Sequence, residues 1–228
     1  SPIQSISIEN NNIHRVSDQI NDHASKKFLF TIPTTILAKL LDQKAEILAE
    51  RLKSIEYFGA VCVVLVLSKP LSDIYWLNIA DDDFPFGGII EHTNFISPRE
   101  YGGDHIAYLS RYFSLDNSIA SLSETAIESI MLDYVSKVFP EFDDSTIKDV
   151  FVFRTHSAAT VCDLNFSKKI PDCKTDINNM FIANMSHVYP DERSTNNSIR
   201  VAAEACRVMG IKSDYVPENK SLSGKIGF

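Results

Sequence analysis

Met180-Phe181-Ile182-Ala183-Asn184-Met185-Ser186-His187-Val188-Tyr189-Pro190-Asp191-Glu192-Arg193-Ser194-Thr195-Asn196 is the stretch on which the reading of the fold turns. Its first four residues form an apolar run, a polar loop follows, and from Ser198 to Met209 apolar residues return at helical spacing. A strand that ends in a polar loop and opens a helix is an anion-binding geometry. The first N–H groups of a helix lack intrahelical partners and carry about half a positive charge, so an anionic or electron-rich ring edge is stabilised there. An ordinary capped helix, with Thr195 or Asn196 as the cap, accounts for the same residues.

Composition narrows the function. With 228 residues and 44% hydrophobic content the chain can bury a sizeable core. Lys+Arg 22 against Asp+Glu 30 leaves a net charge of -8, which argues against nucleic acid as a partner, since binding a phosphate backbone needs a positive face. Cys62, Cys162, Cys173 and Cys206 form no C-x-x-C pair and are expected to be free thiols in a reducing compartment. No apolar run is long enough for a transmembrane helix, and the first residues lack a signal-peptide layout, so a cytoplasmic location is expected. Glycine, at 8 residues, is about half its usual ~7% frequency, and none sits in a phosphate-binding spacing. By itself the chain therefore lacks the turn on which a dinucleotide pyrophosphate rests.

Working outward, the N-terminal residues read as a hairpin, Ile3 to Ile8 and Ile13 to Ile20, with Asn10-Asn11-Asn12 as the turn. Phe28-Leu29-Phe30-Thr31-Ile32 predicts a strand, Ile36 to Leu41 a helix capped by Thr34 or Thr35, and Ala45 to Leu52 a second helix. Tyr57 to Leu67, rich in β-branched residues, predicts a central strand. Strands at Ile74–Ile79, Phe86–Phe95 and His105–Phe113 follow, giving a meander of about four strands. Ser121-Leu122-Ser123-Glu124 fits a capping box for the amphipathic helix marked by Ile127, Ile130, Met131, Tyr134, Val135 and Val138. Asp149 to Arg154 predicts a strand that stays extended through Val161, Lys168-Lys169-Ile170-Pro171 a loop, and the residues from Lys212 to Phe228 a loosely ordered tail.

Three of these segments carry a resemblance. Tyr189-Pro190-Asp191-Glu192-Arg193-Ser194-Thr195-Asn196 resembles the Tyr-Pro-Glu-Asp-Arg-Gly-Thr-Asn loop common in FAD-dependent amine oxidoreductases, the amine-oxidase and protoporphyrinogen-oxidase-like group. Phe28 to Pro33 is similar to the strand ending in Ile-Pro that leads out of that family's flavin domain. Trp76 to Tyr112, with Asp83-Phe84-Pro85-Phe86 and Ile90-Glu91-His92-Thr93-Asn94-Phe95, resembles the substrate-domain sheet of one bacterial subgroup. The sequence departs from the family at Ser194 (glycine there), at Asn184-Met185 (Gly-Glu in amine oxidases) and at Ala158-Ala159-Thr160 (usually Ala-Gln-Pro).

The resemblance implies an α+β fold, a mixed and largely antiparallel sheet with helices packed on one side. It implies a hairpin and strand from a flavin domain at 1–33, a substrate-binding domain at 34–178, the final strand and helix of the flavin domain at 179–211, and a tail at 212–228. The function implied is the C-terminal substrate-binding portion of an FAD-dependent oxidoreductase, inactive alone, holding FAD only together with a glycine-rich N-terminal half outside this sequence. The alternative is a non-catalytic binding or assembly module, as in nucleotide-sugar or polysaccharide metabolism.

Candidate flavin contacts are then Asn184, Met185, Arg193, Thr195, Asn196, Asn197 and Ser198. Candidate substrate contacts are Glu91, His92, Thr93 and Asn94, four polar residues within an apolar run. Strand alternation would send Glu91 and Thr93 to one face and His92 and Asn94 to the other. Trp76, Tyr108 and Tyr112 join them, since aromatic rings with a polar tip suit a pocket for a flat or sugar-like small molecule, though sheet packing also explains them. No catalytic residue is assigned. His92 and His105 lack a third ligand at a recognisable spacing, so no metal is expected, and no G-x-S-x-G turn presents a nucleophile.

Overall fold

The structure, a computed structural model, describes residues 1–41 and 44–212, so the expected tail from 213 onward lies outside the described residues. It divides into two compact units, one made of Ser1–Glu56 with the segment from Cys162, the other of Tyr57–Val161.

The first unit opens with the expected hairpin. Asn10 and Asn11 take left-handed backbone, φ 48° and 58°, between β1 (Ser5–Glu9) and β2 (Asn12–Ser17). Asparagine tolerates that region because its short amide can bond locally, and two such residues in a row match the twist of a hairpin. β3 (Asp22–His23) extends the sheet on β2. β4 (Phe28–Phe30) does not join it. That strand pairs in parallel with β10 (Met180–Ile182), Leu29 opposite Phe181, which brings the two ends of the chain's pattern together.

α1 (Thr34–Leu41) and α2 (Glu46–Lys53) turn Leu37, Ala38, Leu41, Ala49 and Leu52 onto Ile6, Ile13, Phe30, Met180 and Ile182. Each fully buried Leu or Ile in such a cluster contributes about 1.5–3 kcal/mol. The apolar stripes of these helices thus belong to this core, where a boundary at residue 34 was expected to separate them from it. α1 begins at Thr34 itself, and the Pro33 carbonyl accepts from Ile36 and Leu37, so neither threonine takes the expected cap position. Lys168-Lys169 closes a short helix, α4 (Phe166–Lys169), in place of a loop.

The second unit is a five-stranded antiparallel sheet in the order β6-β7-β8-β5-β9. Its strands are β5 (Tyr57–Leu67), β6 (Trp76–Asn78), β7 (Gly88–Glu91), β8 (His105–Phe113) and β9 (Ile147–Thr160). β6, β7 and β8 meander as expected, while β5 sits beyond them, central between β8 and β9. Alternation sends Val61, Val63, Leu65, Leu67 and Leu109 to one face, where α3 (Glu124–Val138) covers them with Ile127, Met131 and Val135. Ser123, rather than Ser121, caps α3 by accepting from the Ala126 N–H at 3.1 Å. At Gly59 a Cβ would lie 2.3 Å from the Phe113 ring and 2.9 Å from the Thr155 carbonyl, so glycine is required where β5 and β9 shift register. The α+β class, with a largely antiparallel sheet and its helix on one side, is what the resemblance implied.

Candidate functional site

In the first unit the decisive stretch builds a corner. β10 ends at Ile182, a 3-10 turn follows at Met185–His187, and α5 (Thr195–Val208) opens after the loop. Asn184 locks the turn: its Oδ1 accepts from the Ser186 N–H at 3.0 Å and hydroxyl at 2.6 Å, and its Nδ2 donates to the Ile32 carbonyl at 2.8 Å. The Asn184 N–H donates to His187 Nδ1 at 3.2 Å, and burial pushes the His187 imidazole below its ordinary range, which favours the neutral ring that can accept there. A cavity of about 250 Å³ opens beside the turn, lined by Leu29, Thr31, Asn184, Met185, Ser198 and Val201.

Three of the expected flavin contacts, Asn184, Met185 and Ser198, thus share one cavity. Arg193, Thr195 and Asn196 lie exposed at the start of α5 instead. Ser194, not Thr195 or Asn196, is the cap. Its hydroxyl oxygen accepts from the Asn197 N–H at 3.3 Å, and its carbonyl accepts from the Ser198 N–H at 3.0 Å. Of the helix's first donors, the N–H groups of Thr195 and Asn196 have no acceptor among the described residues. Asp191 is held by Arg200 at 2.6 Å, while Arg193 makes no ion pair among the described residues.

In the second unit the face of the sheet opposite α3 is open. Trp76, Ile90 and Tyr108 stand in one row across β6, β7 and β8, and Asn78, Gly88 and Ser110 in the next. Trp76 is 55% exposed and Tyr112 62%. Both line a cleft of about 380 Å³, together with Asn78, Asp81, Gly88 and Ser110. Tyr108, half-buried, has its phenol pushed up by burial and further by Tyr101 and Cys62. His92 hydrogen-bonds Tyr101 Oη through Nε2 at 2.7 Å and stands edge-on to Tyr108.

The other polar residues of that segment have a different place from the one alternation predicted. β7 stops at Glu91, and His92–Asn94 is a single 3-10 turn, so the two-faced reading does not apply. Glu91, 1% exposed, accepts from the N–H groups of Leu71 at 2.7 Å and Ser72 at 2.9 Å and from the Ser72 hydroxyl at 3.0 Å. Thr93 accepts from the Ile106 N–H at 3.1 Å, and Asn94 donates to the carbonyls of Ser72 and Ile74. These three side chains fasten a loop to the sheet; they do not face the cleft. Sequence reasoning missed Asn78, Gly88, Ser110 and Tyr101. The signal was present in Trp76/Asn78 and Ser110/Tyr112, which share a face by their spacing of two.

No disulfide joins Cys62, Cys162, Cys173 or Cys206, and burial pushes the Cys62 thiol up. Among the described residues no group of three or more His, Cys, Asp or Glu side chains could hold a metal ion, and no helix is long and apolar enough to cross a membrane.

No family model matches the chain, and no curated protein matches its sequence. Solved structures match it in fold. A proposed protoporphyrinogen oxidase from Exiguobacterium sp. 255-15 aligns with TM-score 0.70 and 12% sequence identity, over 92% of this chain and 46% of that one. An oxidoreductase from Methanosarcina mazei aligns with TM-score 0.58 and 16% identity, over 80% and 43%. Reduced UDP-galactopyranose mutase aligns with TM-score 0.55 and 11% identity, over 73% and 36%. At these identities the likeness is one of fold, and the chain spans less than half the length of each of the three.

Proposed function

We propose that this chain is the C-terminal, substrate-binding portion of an FAD-dependent oxidoreductase of amine-oxidase type, whose flavin-binding half is encoded upstream of Ser1. One observation carries the reading: the fold likeness to the Exiguobacterium protein across 92% of this chain but 46% of that one. FAD fits the residues of the α5 corner as one wall of a site. The cavity beside Asn184, Met185 and Ser198 is open, two helix N–H groups are free to donate, and Arg193 adds positive charge. The phosphates need a glycine-rich turn, which the other half has to supply.

When bound, FAD supplies acceptance of a hydride from a C–N or C–C bond, or of electrons for a redox-linked rearrangement. This chain's residues do the rest. The N–H groups of Thr195 and Asn196, with Arg193, would hold the bound group and stabilise negative charge on it. Trp76, Tyr108 and Tyr112 orient the substrate, and the His92–Tyr101 pair holds a proton at a hydrogen bond of 2.7 Å. A second reading, a binding module that kept the fold without the cofactor, is favoured by Ser194, whose side chain stands where the family carries glycine and is engaged as a helix cap.

The upstream reading frame separates the two. A strand, a G-x-G-x-x-G turn and a helix encoded there support the oxidoreductase; an initiator methionine directly before Ser1 sinks it. In the longer polypeptide, Arg193→Ala is expected to lower the flavin retained per chain several-fold, read from flavin absorbance after gel filtration, with the melting temperature of the apoprotein unchanged.

A further inference from the structure

We propose that the cleft on the open sheet face binds a neutral sugar ring. Its floor is Gly88 in β7, the middle strand of three, where a Cβ would stand 3.6 Å from the Leu77 carbonyl and 4.0 Å from Ser110 Oγ, with nothing closer. The missing side chain leaves a depression between Asn78 and Ser110, its neighbours in the row. Trp76 and Tyr112 rise from the two flanking strands, each more than half exposed. Aromatic faces of this kind cover the C–H face of a sugar, while its hydroxyls need amide, hydroxyl and carboxylate partners around the rim.

Those partners are present. Asn78 Oδ1 accepts the Trp76 indole N–H at 2.8 Å, which fixes the indole and leaves the amide donors for a ligand. The Ser110 hydroxyl makes no side-chain hydrogen bond among the described residues, and the carboxylates of Asp81 and Asp82 stand at the rim. The frame is set before any ligand arrives: Ile79 N–H donates to the Gly87 carbonyl at 3.0 Å, Gly87 N–H to the Ser110 carbonyl at 2.9 Å, and the Phe84 ring packs edge-on against Phe86 and Tyr134. Such preorganisation lowers the ordering cost of binding.

Charge selects the class of sugar. Arg111, the cation lining the cleft, donates to the Phe84 carbonyl, and two carboxylates outnumber it. A uronate or a phosphorylated sugar would meet like charge, whereas a neutral ring meets acceptors for its hydroxyls. The inference rests on the reading of this face as the substrate wall, and because its test uses no flavin the two readings fail separately.

Trp76 is the only tryptophan, so emission excited selectively at the indole reports on the cleft. The 228-residue chain is titrated with methyl glycosides of glucose, galactose and N-acetylglucosamine, and with galacturonate and UDP-galactose as anionic probes. At least one neutral glycoside is expected to give a saturable emission change at concentrations on the order of millimolar, with the anionic probes weaker. Tyr112→Ala, at an exposed position, is expected to weaken that binding about tenfold, and Gly88→Val to abolish it with the far-UV circular dichroism retained. The proposal is overturned if no neutral glycoside changes the emission, if galacturonate binds as tightly as the neutral rings, or if Tyr112→Ala binds with unaltered affinity.

Discussion

A carboxylate buried against two backbone N–H groups cannot be shortened without leaving those donors unpaired. Glu91 is such a residue, and Glu91→Ala is expected to lower the unfolding free energy by about 2–4 kcal/mol, with Glu91→Gln milder because one acceptor survives. Urea denaturation of the three proteins measures this; an unchanged midpoint for the alanine variant would refute the structural role. Trp76, Tyr108 and Tyr112 were grouped in the sequence as rings with a polar tip, and of these Tyr108 and Tyr112, four apart in β8, share a face by alternation. The segment from Glu91 to Asn94 was not legible, because alternation assumes that the strand goes on. No Gly or Pro between Ile89 and Ile96 marks its end, and the turn is imposed from outside, by the Ile106 N–H seeking Thr93 and by the loop carbonyls seeking Asn94.

Among the elements, the 3-10 turn at Met185–His187 has a titratable fastening in His187. Burial depresses the His187 pKa, against smaller opposing effects of the Asn184 and Pro171 backbone and the Asp172 charge. Protonation removes the Nδ1 lone pair that accepts from Asn184. A folded pKa below the unfolded one makes this contribution full above the ordinary value of 6.5, and it is lost as the pH falls through the folded value. The melting temperature is therefore expected to drop on acidification from about pH 7 to 5, and His187→Gln to flatten that drop. Equal slopes for both proteins would exclude the turn as the cause. β5, α3, β8 and the asparagine hairpin were readable from local pattern because burial periodicity and turn chemistry are local. The position of β5 between β8 and β9 was not, since strand order is decided by partners distant in sequence. The caps moved for a related reason: Ser121 and Ser123 offer the same hydroxyl, and Ser123 is the one adjoining the first helical residue, Glu124.

For the molecule as a whole, the unit Tyr57–Val161 carries its own apolar cluster, and its first and last strands pair, Tyr57 opposite Thr160. Excised, residues 57–161 are expected to fold alone and melt cooperatively by circular dichroism; a non-cooperative trace would show that the cluster is insufficient. Sequence reading set the boundaries elsewhere because the stripes of α1 and α2 look alike whichever cluster receives them. Pairing of Tyr57 with Thr160 also bears on polymer statistics. An insert whose two ends meet on neighbouring β-rungs adds little loop-closure entropy to the chain that hosts it, about that of a hairpin connection, whatever its length. The host can gain, lose or exchange such a cassette without having to search a longer contour for its own distant contacts, β4 with β10 foremost among them.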